Sequence, residues 1–268
     1  MFNRTYYKAK AREQLKGKLK TPLIASISIC IIIIIIICIM QIIIQCRNID
    51  TYSTLKMGFI TYLSISFCIS FLSSLLLCLL VFPIYRIFIQ IYNTKIKVKF
   101  LDFLKGFSHL PIYFAGAFRY ILFTTLWRLL FIFPGIIKSY SYSQMFFVLA
   151  ENPKLSSYQA MKISKILTRK HKADLFFMDL SFVGWHFLSF FTFAIIPSCF
   201  FIVVPNLNII VMCFISILSL LSVIITFNLI WSYKIMAFTN AYYALKEETL
   251  KTGTLTPLDF STGLTTVL

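Results

Sequence analysis

Few ionisable residues interrupt the long apolar stretches of this sequence: Arg119, Arg128, Asp179 and His186. A charge held in hydrocarbon costs roughly 2.5–3.5 kcal/mol on insertion scales, so each needs a partner, a route to water or a function. At about 1.5 Å per helical residue, Arg119 and Asp179 lie at similar depths, roughly 10 Å in, and are expected to pair. Such a pair can fix helix register, or it can serve as a polar site for a substrate or a proton. Arg128 lies nearer a helix end and is expected to reach out to the interface. Ser139, Tyr142, Ser143 and Gln144 put hydrogen-bonding groups on the next apolar stretch, where contacts between helices are their usual role. His186, beside Trp185, is expected to pack rather than react.

Known catalytic patterns are missing. There is no HExxH, no GxSxG, no P-loop and no spaced carboxylate pair. The seven cysteines contain no CxxC pair, and six of them stand in apolar runs, where a thiol behaves as a small hydrophobe. The expectation is therefore no metal and no cofactor, with an enzymatic activity disfavoured.

The elements that hold these residues follow from composition. Apolar residues make up 59% of the chain and charged residues 13%, where a soluble domain carries about 25% charged. Lipid must therefore solvate much of it. The net charge of +17 is carried by cations placed between the apolar runs, and no nucleic-acid-binding motif accompanies them. They suit the lipid bilayer, in particular anionic lipid headgroups on the cytoplasmic side, at about 1 kcal/mol per residue. Nucleic acid is not an expected partner, and the sequence leaves a membrane-protein partner or a homo-oligomer undefined.

The expected architecture is an all-α polytopic membrane protein with about six transmembrane helices and amphipathic interfacial helices. It forms a single integral membrane domain over 1–245, followed by a polar, disordered cytoplasmic tail over 246–268. The spans are 22–44, 58–82, 112–133, 136–150, 174–204 and 209–231, each apolar and most near the twenty residues a bilayer needs. The first is read as a retained span, because its apolar run is longer than the core of a cleaved signal peptide. Pro83 is expected to end span two, and Pro197 to kink span five. Span four is short, but the basic segment after it belongs inside by the positive-inside rule, which requires 136–150 to cross.

Interfacial segments are expected at 4–20, 94–110 and 156–172. In the last, Ser156 and Gln159 have capping-box spacing. Lys162, Lys165, Arg169 and Lys172 fall on one stripe of that helix as candidate lipid headgroup contacts. On this drawing both termini are cytoplasmic, and 21 of the 26 lysines and arginines lie inside. Lys138 falls on an outer turn made by Pro134 and Gly135.

Residues 126–185 carry a resemblance. Leu126-Trp127, the run from Leu130 through Pro134-Gly135 and Lys138 to Ser143, Leu149-Ala150-Glu151-Asn152-Pro153, His171-Lys172 and Asp179-Leu180-Ser181-Phe182-Val183-Gly184-Trp185 resemble blocks of the DUF975 family. That family comprises bacterial integral membrane proteins of unknown function. Ala11 to Gly17 is similar to its opening. Two departures are Lys170, where the family has glycine before His-Lys, and a longer stretch over 190–228. The resemblance implies a six-helix membrane fold in the cytoplasmic membrane and supplies no substrate.

The leading functional expectation is a non-enzymatic accessory or scaffold protein of that membrane. The alternatives are a small-solute or lipid-handling permease using a polar site near Arg119 and Asp179, and an intramembrane enzyme. A water-lined cavity reaching these residues would favour the permease, and a dry, closed bundle the scaffold.

Overall fold

The computed structural model describes residues 2–32, 35, 58–94, 98–203 and 209–263. Among these residues the fold is all-α, with no strand. The outer link at 45–57, the later part of the first apolar run and residues 264–268 lie outside the described residues.

Helix α1, Arg4–Leu15, starts where the Asn3 side chain accepts from the Tyr6 N–H at 3.0 Å, the usual N-cap bond. Gly17 at φ +72° takes the left-handed conformation in the link to α2, Lys20–Ile32. Helix α1 docks along the last long helix, α10 (Ile209–Lys251), with Ala11 and Leu15 buried. The Tyr233 hydroxyl donates to Lys8 O at 3.0 Å, and the Asn240 amide to Tyr7 O at 3.3 Å.

Helix α3, Gly58–Thr94, carries on through Pro83, where it was expected to stop. The proline ring packs against Gly106, so closely that a Cβ there would lie 2.7 Å from Pro83 Cβ. That tertiary contact offsets the lost backbone hydrogen bond. Helix α4, Phe100–Lys105, and a 3-10 turn, Gly106–His109, lead into α5, Leu110–Leu130, with Pro111 in its first turn.

The link to α6, Ile132–Tyr142, is Phe131 in extended conformation. The turn expected at Pro134-Gly135 is therefore made earlier. Pro134 sits in the first turn of α6, where no intrahelical N–H is needed. Gly135 is required by packing: an added Cβ would meet Arg128 Cγ at 2.5 Å and Arg128 Cα at 2.9 Å.

The single helix expected over 136–150 is broken. A turn at Ser143-Gln144 separates α6 from α7, Met145–Glu151, whose six residues from Met145 to Ala150 are all buried. Helix α8, Ser157–Leu167, opens with the anticipated Ser156/Gln159 capping box. Helices α9, Lys172–Val203, and α10, Ile209–Lys251, pair along their length.

The tail expected to be disordered is ordered as far as Gly263. Helix α11, Pro257–Ser261, is capped by Thr256 and Asp259. Asn152 donates to Phe260 O at 2.6 Å, and Lys246 lies 4.5 Å from the Phe260 ring centre. A short capping motif and one buried aromatic hold a segment whose composition is otherwise polar.

Two described helical stretches, Phe71–Thr94 and Ile217–Lys251, are long and apolar enough to cross a membrane. Large apolar side chains point two ways. In one zone they point inward, as with Phe82, Ile87 and Ile91 of α3, all of α7 up to Ala150, and Ile235, Tyr242 and Leu245 of α10. In the other they point outward. Phe114, Phe118, Leu122, Leu126 and Leu130 form an exposed stripe on α5, Phe131 to Phe133 an exposed tip, and Phe187, Leu188, Phe214, Leu218 and Leu221 exposed faces of α9 and α10. A contiguous outward apolar surface of this kind marks contact with a protein or a membrane.

Candidate functional site

Asp179 stands two turns into α9 and is held from two sides. Lys234 Nζ of α10 lies 2.5 Å from its Oδ1, and the Tyr140 hydroxyl of α6 donates to Oδ2 at 2.8 Å. The pairing with Arg119 does not form. Arg119 Nε donates to Ser157 Oγ at 3.2 Å, and its guanidinium lies 5.5 Å from the centre of the Tyr158 ring. Counting residues from helix ends says nothing of the direction each charge faces. Arg119 is on the side of α5 turned to α8, and Asp179 is on the side of α9 turned to α10 and α6.

Around Asp179 lies a cavity of about 320 Å³. Tyr85, Tyr120, Arg128, Ser139, Tyr140, Ser143, Asp179 and Lys234 supply its polar lining, and Phe146, Phe147, Trp231 and Phe238 its aromatic walls. The two serines are spent locally, donating to Ile136 O at 2.7 Å and Tyr140 O at 2.8 Å. Among the described residues, Arg128 and the hydroxyls of Tyr85 and Tyr120 have no hydrogen-bond or ion-pair partner. The cavity thus combines two cations with one carboxylate and keeps three donors unengaged. Electrostatically it suits a ligand rich in acceptors and carrying negative charge.

The basic stripe is divided. Helix α8 ends at Leu167, so Lys162 and Lys165 are on it, Arg169 falls in the following turn and Lys172 opens α9. Lys170 does not prolong the helix. Thr168 closes it by donating to Ser164 O at 2.9 Å and lying 3.2 Å from Ser141 O, and His171 is held between Asp174 and Glu248. Lys162 lies 4.7 Å from the Tyr158 ring centre and Lys165 5.5 Å from that of Tyr142. Burial holds the Lys165 ammonium below the ordinary lysine pKa, and the nearby charge of Lys138 adds to that effect.

That proximity goes with a direct contact between α6 and α8. Ser164 Oγ donates to Ser141 O at 2.8 Å. Residues expected near the outer surface are in direct contact with the basic segment expected inside.

Residues 118–205 match the family model described as Protein of unknown function (DUF975). No curated protein and no solved structure matches the chain. The DUF975 stretch supplies Asp179, Tyr140, Arg128 and Tyr120 to the cavity, while Tyr85 and Lys234 come from helices outside it.

Several residues of the site were not singled out from sequence. Lys234 follows Trp231 at the end of an apolar run and reads there as a boundary cation. Tyr85 and Tyr120 have no distinguishing neighbours, and Tyr140 stood out only as part of a family block. Glu151 was noted only within a family block, yet it gathers the Tyr242 hydroxyl at 2.6 Å, the Tyr243 hydroxyl at 3.4 Å and Lys246 Nζ at 2.7 Å. Its signal was its chemistry: a lone acid among basic loops, directly after an apolar run. His186 packs on Phe227 with ring centres 4.8 Å apart.

Proposed function

We propose that this chain is a multi-pass protein of the cytoplasmic membrane that binds an oxyanion, as a small solute or a lipid headgroup, in the cavity between Arg128, Asp179 and Lys234. This places it among permeases or lipid-handling proteins rather than scaffolds. One observation carries the reading: a 320 Å³ polar cavity in which two cations face one carboxylate and three donors lack partners. A scaffold has no use for such a space, whereas unengaged donors that converge on a cavity are placed to orient a ligand.

The topology that supports this reading has four crossings, 22–44, 58–82, 174–204 and 209–231, with both termini cytoplasmic. Helices α5 and α6 form a hairpin lying against the cytoplasmic leaflet, its apolar tip dipped into hydrocarbon. Every lysine and arginine except Arg47 and Lys56 then falls on or near the cytoplasmic side, a stronger asymmetry than six crossings give. The three tryptophans support the same boundary. Trp231 lines the cavity, Trp127 lies under Lys138 at 4.6 Å, and Trp185 shares a groove with Tyr233. Aromatic residues of this kind gather at membrane–water interfaces.

The test is ligand-dependent thermal stabilisation of the purified full-length protein across inorganic phosphate, small carboxylates and phosphorylated lipid headgroups. It is repeated with Arg128→Gln and Tyr85→Phe. Stabilisation by an oxyanion that both variants lose would support the assignment. A flat response across the panel, with Asp179→Cys closed to hydrophilic thiol reagents, would return the chain to the scaffold reading.

A further inference from the structure

A second site lies apart from the cavity, on the face where α1 crosses α9 and α10. It is a groove of about 610 Å³. Phe182 and Trp185 of α9 and Leu229 and Ile230 of α10 make its apolar floor, with Lys8 and Arg12 of α1 on its rim. Trp185 is 60% exposed and Leu229 37%, so the floor runs without a break into the outward apolar faces of both helices.

From this arrangement we infer that the groove binds one glycerophospholipid with an anionic headgroup. Its phosphate sits between Lys8 and Arg12, and an acyl chain lies along Phe182, Trp185, Leu229 and Ile230. Each part of the ligand answers to a part of the groove. Lys8 is already fixed in place, donating to Ser181 Oγ with its ammonium 4.5 Å from the Phe182 ring centre. It therefore presents charge at the edge of an apolar surface with little ordering left to lose. Arg12 is exposed one turn further along the same face of α1 and offers a fork that fits two phosphate oxygens. Along α1, Arg4, Lys8, Lys10 and Arg12 face a single acid, Glu13, which matches an anionic headgroup and disfavours a zwitterionic one. Apart from the Trp185 indole N–H and the Tyr233 hydroxyl, which donates to Lys8 O, the floor is apolar, which suits a lipid tail better than a polar soluble ligand of that length.

A lipid so placed would clamp α1 onto the pair α9 and α10, beside the Tyr233 and Asn240 bonds that already hold it. The sites reported by α8 are different. Lys162 and Lys165 face the rings of Tyr158 and Tyr142.

The experiment is native mass spectrometry of the detergent-purified full-length protein titrated with phosphatidylglycerol, phosphatidylcholine or inorganic phosphate. The wild type should retain one phosphatidylglycerol at activation energies that strip phosphatidylcholine, and inorganic phosphate should not compete. The double variant Lys8→Gln, Arg12→Gln should weaken retention about tenfold. Leu229→Trp, which fills the floor and keeps both cations, should weaken it too while leaving the melting temperature within a degree or two. The pair Lys162→Gln, Lys165→Gln should leave it unchanged. Equal retention of the two lipids, or loss that follows Lys162 and Lys165 instead, would overturn the assignment. Competition by inorganic phosphate alone would show that the rim binds the anion without a lipid, and would overturn it equally. None of these outcomes depends on whether the Asp179 cavity holds a ligand.

Discussion

The Ser164 hydroxyl donates to the backbone carbonyl of Ser141 at 2.8 Å, tying α8 to the end of α6. Basic α8 and the α5–α6 hairpin are thus parts of one packed unit. Thr168 on the same carbonyl and Arg119 on Ser157 reinforce the union. The consequence is a prediction about sidedness. In intact cells, single cysteines at Lys138 and Lys162 should react with membrane-permeant thiol reagents and resist impermeant ones. A probe at Asn206 should react with both. Labelling of Lys138→Cys from outside would restore the six-crossing arrangement.

That contrast also shows what was readable in advance. The helical class and the Ser156 cap follow from local pattern and emerge as expected. Partners at a distance do not. Asp179 was expected to meet Arg119 because both lie inside apolar runs at similar depth. Which residue faces it depends on the rotation of α9 against α10, and an apolar run with little amphipathic bias does not encode that rotation. The same reason hides Tyr85 and Tyr120. Span four was inferred from charge placement, on the assumption that an apolar stretch between two loops must cross. A stretch that folds as two short helices joined by a turn, as α6 and α7 do, has the same composition.

Asp179 and Lys234 should behave as a coupled pair. Their side chains are 23% and 28% exposed, so solvent screens the interaction only in part. Removing one partner leaves a charge facing a partly dry cavity and should cost about 1–3 kcal/mol. Asp179→Asn and Lys234→Gln should each lower the melting temperature of the purified protein, and the double variant should lose less than the two losses combined. Full additivity would mean that the two groups do not sense each other. Tyr140→Phe should cost less, since Lys234 remains in place.

Glu151 should matter more for stability than its place at a helix end suggests. It accepts from Tyr242 and Lys246 at 2.6 and 2.7 Å, and both members of the ion pair are less than 20% exposed. Glu151→Gln keeps the shape but weakens both bonds, and Glu151→Leu leaves the Lys246 ammonium and a buried phenol without an acceptor. Losses of about 1–2 kcal/mol for the first and about 3 kcal/mol for the second are expected. Thermal unfolding followed by circular dichroism in detergent would read both, and equal losses would mean that geometry rather than charge governs the site.

Two glycines separate packing from helix propensity. Both lie in helices, and both would gain stability from alanine on propensity alone, by roughly 0.5–1 kcal/mol. At Gly184 nothing lies within 4 Å of an added Cβ, so Gly184→Ala should be neutral or slightly stabilising. At Gly135 the added carbon would lie 2.5 Å from Arg128 Cγ and 2.9 Å from Arg128 Cα. The side chain could give way, but the backbone atom can move only if α5 and α6 separate. Gly135→Ala should therefore destabilise by about 1–3 kcal/mol despite the better propensity. It should also shift Arg128 out of the cavity, so oxyanion-dependent stabilisation should fall along with the melting temperature. Gly184→Ala should leave it intact. If Gly135→Ala proved as stable as the parent and still responded to the anion, the hairpin would not be packed tightly enough to set the position of Arg128, and the cavity would lose its unpaired cation.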